Sequence, residues 1–275
     1  MGKAMHFDSH VHSAASPDSE LDPNVAIKVL GKKGLGVAFT EHVDFVTPIE
    51  GKDLSAKDAP NGDYDFICDF GIYPSQYKAI QDRNRDYVLL GIEIGLCAAY
   101  LDMNTQKANE GYDFVLGSIH NVDGYDVYSR SSDFEPEDFC RRYLTYGKEM
   151  VELCGFFDSY GHIDYIARYS EKIEKIFHYK NFRGEFDALL KALAERDLAM
   201  EINTSRFGKT SLIGQLTPIY KRFKELGGRY VTIGSDSHNE WALGRYYSEA
   251  LGLCKMAELV PVYFRDRERI LCDKT

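Results

Sequence analysis

The stretch FDSHVHSAASPDSE (residues 7–20) sets His10 and His12, two of only eight histidines in the chain, one residue apart among acidic neighbours. On an extended segment residues i and i+2 point to the same side, so both imidazoles can reach one ion. Further histidines stand in TEH (His42), GSIH (His120), YGHID (His162) and GSDSH (His238, beside Asp236), and a glutamate stands in GIEIG (Glu93). Neutral imidazoles and carboxylates suit zinc, iron or manganese. One histidine at a strand end is more often a hydrogen-bonding loop residue than a ligand. Six at equivalent places, with Glu93 and Asp236, are hard to attribute to accident. His10, His12, Asp236 and a bridging Glu93 would make one site, and His120 and His162 would complete a second on the other side of Glu93. Asp18 could hold a third ion with His42 and His238, although alone it reads as a turn residue beside Pro17. Asp8 is expected to orient one of the histidines through a hydrogen bond. His6 and His178 stay outside the set.

These residues earn their common placement from the elements that carry them. Seven short apolar runs fit buried strands at 4–8, 35–40, 87–93, 112–118, 156–162, 198–203 and 230–235, the fifth (FFDSYGH) being weak by itself. Amphipathic stretches alternate with them. In DPNVAIKVLGKKG, Asp22 caps, Pro23 opens and Gly34 stops a helix. EPEDFCRRYLTYGKEMVELCG and FRGEFDALLKALAERD repeat apolar residues at helical spacing, and QLTPIYKRFKELGG ends on two glycines. Repeated strand–helix units predict an α/β fold with a parallel sheet and outer helices. Seven units fit a closed, TIM-like barrel, whose strand C-termini meet at one face where active sites sit. An open doubly wound sheet is the alternative, but its G-x-G-x-x-G loop is absent. The whole chain, 1–275, reads as one domain.

Composition narrows the classes. The formal net charge of −10 disfavours nucleic acid, and no basic patch offsets it. No apolar run is long enough to span a bilayer, and MGKAMHFD lacks a secretory core. None of the six cysteines forms a C-x-x-C pair. Reduced thiols and a cytoplasmic location are therefore expected.

The set D-x-H-x-H at Asp8, His10 and His12, followed by His42, Glu93, His120, His162 and the D-x-H at Asp236 and His238, resembles the PHP (polymerase and histidinol phosphatase) superfamily. DSHVHSAASPDSE, TEHVDF, GSIHNVDG, GHIDYIARY, EINTSRFGK and GSDSH look like its monofunctional histidinol-phosphate phosphatase branch, over about residues 6–250. The resemblance implies a distorted (β/α)7 barrel with three divalent ions. The first would take His10, His12, Glu93 and Asp236; the second Glu93, His120 and His162; the third Asp18, His42 and His238.

The implied reaction is hydrolysis of a phosphate monoester such as L-histidinol phosphate, a small-molecule substrate of histidine biosynthesis. Phosphate monoesters hydrolyse very slowly in water. Closely spaced divalent ions lower the pKa of bound water and clamp both oxygens of an in-line displacement. The expected nucleophile is hydroxide held between two ions beside Glu93, with Asp236 and His238 serving the same centre. A dianionic phosphate also suits an arginine fork. Arg206, in NTSRFGK, is the first candidate and Arg168, in GHIDYIARY, the second. Lys209, Ser205 and Asn203 are weaker ones. The segment Val43–Gly71, with Asp44, Glu50, Asp53, Asp58, Asp63, Asp65 and Asp69, is expected to cover the mouth and help receive an ammonium group. Three other readings stand beside this one. They are a superfamily phosphoesterase acting on nucleotides or other small esters, an amidohydrolase (which the lack of a lysine at any strand end disfavours) and an inactive metal-binding module. The sequence gives no oligomeric state.

Overall fold

The computed structural model describes residues 6–45, 66–209 and 211–273. Its strands are β1 (His6–Val11), β2 (Leu35–Asp44), β3 (Phe66–Ile67), β4 (Val88–Gly95), β5 (Phe114–Ser118), β6 (Asn121–Val122), β7 (Tyr125–Asp126), β8 (Ser159–Tyr160), β9 (Ala199–Asn203), β10 (Tyr230–Gly234), β11 (Val260–Arg265) and β12 (Glu268–Leu271). The helices are α1 (Pro23–Lys32), α2 (Ser75–Arg83), α3 (Leu101–Ala108), α4 (Val127–Arg130), α5 (Pro136–Leu153), α6 (Glu171–Ile176), α7 (Arg183–Glu195), α8 (Leu212–Glu225) and α9 (Tyr247–Ala257).

Local chemistry explains the boundaries. Asp22 accepts a hydrogen bond from Asn24 N and Pro23 opens α1, while Gly34 leaves it with φ of +72°. The α5 pattern buries Phe139, Cys140, Tyr143, Leu144, Met150 and Val151, and α7 buries Phe186, Leu189, Leu190 and Leu193, against the outside of the sheet.

The main sheet runs β1-β2-β4-β5-β8-β9-β10-β11-β12, parallel from β1 to β11, with β3 antiparallel on β2 and β12 antiparallel on β11. The expected distorted barrel with outer helices is found, with two differences. β1 and β10 share no ladder; they meet past the end of β10, at a parallel bridge between Val11 and Ser237, where Asp236 N donates to His10 O at 2.8 Å and His12 N to Ser237 O at 2.9 Å. In addition, the sheet continues into the β11–β12 hairpin.

That hairpin fills the opposite end. Tyr263 and Cys272 pack with Phe7, Ala38 and Leu89; Val262 and Phe264 pack with Phe114, Leu116 and Ala199. These partners alternate with residues of the helix-facing core such as Val37, Phe39, Val88, Leu90, Val115 and Met200. Strand alternation therefore separates an inner face from an outer one. On the inner face, further along toward the C-terminal ends, lie His42 and Asp44 (β2), Glu93 (β4), Ser118 (β5) and Glu201 (β9).

β1 reaches this face by an irregularity. Asp8 pairs with Val37, but Val11 pairs with Phe39, three steps against two. Such a bulge reverses the alternation. Strict alternation from inward Phe7 would turn His10 and His12 outward; the extra residue turns both inward.

Candidate metal centre

His10 lies at the floor, fully buried, and its Nε2 is 2.9 Å from His12 Nε2, 3.3 Å from Glu93 Oε2 and 3.5 Å from Asp236 Oδ1. His12 Nε2 is 3.4 Å from the same Glu93 oxygen and 3.5 Å from the same Asp236 oxygen. The other Glu93 oxygen, Oε1, is 2.8 Å from His162 Nε2 and 3.3 Å from His120 Nε2, and it accepts from Ser118 Oγ at 2.7 Å. The two oxygens of one carboxylate thus address two separate groups of imidazoles. Nearer the surface, Asp18 Oδ2 is 2.9 Å from His238 Nε2 and 3.5 Å from His42 Nε2. The His12 ring lies between these two, with centroids 4.0 Å from His42 and 4.3 Å from His238. All nine residues proposed as ligands come together at one rim.

The donor set fits divalent ions. Glu93 Oε2, His42 Nδ1 and Asp44 Oδ2 are buried without a hydrogen-bond partner, although His42 Nδ1 faces the two oxygens at 3.2 and 3.6 Å. Unpaired buried polar atoms are costly, and a cation among them would satisfy all three. Groups of donor atoms within ion-binding reach include His10–His12–Asp236, His10–Glu93–His162, His12–His42–His238 and His42–Asp44–His120. The electrostatics express the same demand. Burial pulls His10 down, but Glu201, Glu93 and Asp236 together hold it well above the usual histidine range. Burial likewise opposes protonation of His120, yet Asp44 and Glu93 raise it to about 10. Burial and the neighbouring His42 instead push His12 well below its usual range. At His10 and His120 the carboxylates favour positive charge, which bound ions would supply instead.

Behind the rings stand two carboxylates that the sequence reading did not assign to the histidines. His10 Nδ1 donates to Glu201 Oε1 at 2.6 Å, and His120 Nδ1 donates to Asp44 Oδ1 at 2.8 Å. Each bond leaves Nε2 free to face Glu93. Asp44, expected in a mouth-covering loop, is the last residue of β2 and nearly fully buried. Asp69 accepts from Gly71 N at 2.8 Å in a local turn; Glu50, Asp53, Asp58, Asp63 and Asp65 lie outside the described residues. Asp8 does not orient an imidazole ring. It accepts from Ser235 N and Oγ and from Gly244 N at 2.8, 2.6 and 2.8 Å, because alternation from inward Phe7 turns it to the outer face, where it ties β1 to the segment after β10, while the bulge that follows turns only His10 and His12 inward.

The two arginines differ. Arg168 Nη1 donates to Asp236 Oδ2 at 2.6 Å, while its Nε and Nη2 are buried and unpartnered. Arg206 forms no bond to the nine ligand candidates. Its Nη1 donates to Asp164 Oδ2 at 2.5 Å and its Nη2 to Glu174 Oε1 at 2.6 Å. Lys209 also bonds Glu174, at 2.7 Å, and Ser205 Oγ donates to Asn203 Oδ1 at 2.6 Å. His6 lies next to Tyr247, away from the centre.

Comparison with known proteins adds independent findings. A family model described as PHP domain matches residues 8–205. A protein of Clostridium acetobutylicum named "Probable histidinol-phosphatase" is 34% identical over 267 residues, spanning 96% of this chain and 98% of that one. A protein of Lactococcus lactis named "Histidinol-phosphatase" is 29% identical over 239 residues, 84% of each chain. The crystal structure of histidinol phosphate phosphatase from Lactococcus lactis, complexed with zinc, L-histidinol and phosphate, is similar with a TM-score of 0.82 and 27% identity, covering 99% of both chains.

Proposed function

The chain belongs to the PHP domain family, and on that footing we propose that it is a metal-dependent phosphoric monoester hydrolase converting L-histidinol phosphate to L-histidinol and inorganic phosphate. The observation that carries the reading is Glu93, whose two oxygens each face a different set of imidazoles in a buried floor. When bound there, divalent ions would acidify water and clamp the oxygens exchanged at phosphorus. His10, His12, Glu93 and Asp236 would hold one, Glu93, His120 and His162 a second, and Asp18, His42 and His238 a third. Zinc, iron and manganese all suit these donors.

The protein's own groups would do the remaining work. Asp236 holds Arg168 by Nη1, so the unpartnered Nε and Nη2 offer paired donors to a phosphoryl group. That makes Arg168 the first choice for the phosphate contact; Arg206 would have to give up Asp164 or Glu174 to take part. The buried imidazoles and Glu93 exclude bulk water from the reacting centre, which strengthens every charge interaction there. A small, soluble ester in the cytoplasm is the substrate this reading requires, and the acidic chain disfavours nucleic acid.

The test is phosphate release from a panel of phosphomonoesters: histidinol phosphate, an amino-free analogue, a nucleoside monophosphate and a sugar phosphate. The expected result is a kcat/KM for histidinol phosphate at least about tenfold above every other ester, a difference of about 1.4 kcal/mol. A nucleotide hydrolysed as well or better would replace the substrate assignment.

A further inference from the structure

Glu201 lies on β9, between β8 and β10, and is 1% exposed. No lysine or arginine among the described residues bonds it. Its Oε1 accepts from His10 Nδ1 at 2.6 Å; its Oε2 accepts from the His162 backbone N at 2.7 Å and from Asn203 Nδ2 at 3.2 Å. Asn203 Nδ2 also approaches Asp236 Oδ2, at 3.3 Å. One carboxylate therefore fixes His10 directly, His162 through its main chain and Asp236 through an amide. Of these three candidate ligands, His10 and Asp236 belong to one of the groups that share Glu93 and His162 to the other.

The surroundings are shaped around this arrangement. A Cβ on Gly234 would fall 2.4 Å from Glu201 Oε1 and 2.3 Å from His10 Cβ, so only glycine leaves room for the pair. A buried carboxylate is expensive in an apolar interior unless it is paired, and the partner of Glu201 is the His10 imidazole. Through this bond Glu201 fixes the ring: Nδ1 is held by Glu201, which leaves Nε2 facing Glu93 and Asp236.

We infer that Glu201 is a positioning residue on which loading of both ions sharing Glu93 depends, while the Asp18–His42–His238 group does not depend on it. The inference rests on the metal reading above. A purely structural Glu201, merely joining β8, β9 and β10, would lower the stability of the ion-free protein and leave zinc affinity in proportion to the folded fraction.

The experiment is zinc titration of Glu201→Gln and wild type against a chromophoric competitor chelator, with urea unfolding of both ion-free proteins alongside. The expected outcome is two zinc ions bound about 10–100-fold more weakly, the remaining affinity unchanged, and an ion-free urea midpoint no lower than that of wild type. Unchanged affinity, or weaker binding fully matched by lost ion-free stability, would overturn the inference. Should the variant fail to fold, nitrogen-15 spectra of zinc-loaded wild type decide: a protected, hydrogen-bonded Nδ1 proton on His10 supports it, and an Nε2-protonated His10 sinks it. Wild type that binds no zinc would sink the metal reading itself, an outcome that the control separates from the others.

Discussion

At the scale of single residues the account depends on Glu93. Glutamine at this position would keep an oxygen for one set of imidazoles and present an NH2 donor to the other. Glu93→Gln is expected to lose more than the about 10–100-fold that removal of a supporting residue behind a ligand costs, with its far-UV circular dichroism unchanged. Phosphate release within tenfold of wild type would contradict the bridging role. Eight of the nine candidate ligands were legible because each sits at or just beyond the end of an apolar run, where a parallel barrel gathers its strand termini; Asp18, well past the first run, read alone as a turn residue and joined the set only through the family resemblance. Asp44 and Glu201 were not assigned. Both were visible, in TEHVD and EIN, but nothing in a sequence says which ring nitrogen needs a partner or which carboxylate is close enough to supply it. Asp8 shows the same limit in reverse. Its spacing from His10 suggested a supporting role, but the bulge between them turns His10 inward and leaves Asp8 on the outer face with Ser235 and Gly244.

At the scale of elements, strand alternation and its one interruption set the site. β2, β4, β5 and β9 deliver inward side chains by parity, whereas β1 needs the extra residue between Asp8 and Val11. β10 contributes through what it omits, the Gly234 side chain, since His10 and Glu201 occupy that space. Gly234→Ala is expected to cost about 1–3 kcal/mol of stability through overpacking and also to weaken ion binding, because the two groups displaced are a candidate ligand and its support. Urea unfolding with parallel zinc titration checks this; an alanine variant with wild-type affinity would show that the close packing is incidental. Helix boundaries were readable from Asp22, Pro23 and Gly34. FFDSYGH gave only a two-residue strand, Ser159–Tyr160. VPVYFR, though rich in strand formers, was missed altogether. Pro261 interrupts it, and the turn that follows places Asp266 and Arg267 at φ of 51° and 65° without the glycine that marks most tight hairpins.

For the whole molecule, the two ends of the barrel divide the labour. One end gathers the candidate ion-binding side chains. The other is closed by the β11–β12 hairpin, whose Arg267 donates to Asp158 Oδ2 at 2.6 Å, Phe156 O at 2.5 Å and Ala108 O at 3.2 Å, securing the plug to the end of α3 and to the segment that leads into β8. The six cysteines are all buried and none forms a disulfide, and no helix among the described residues is long and apolar enough to cross a membrane. Stability and chemistry are thus placed at opposite ends, and stripping the ions should abolish the second while leaving a folded chain. The most direct measurement is phosphate release from L-histidinol phosphate by the full chain before chelation, after exhaustive chelation and after return of zinc or manganese. Activity lost with the ions and restored with them is the predicted result; hydrolysis undiminished in excess chelator would contradict the account.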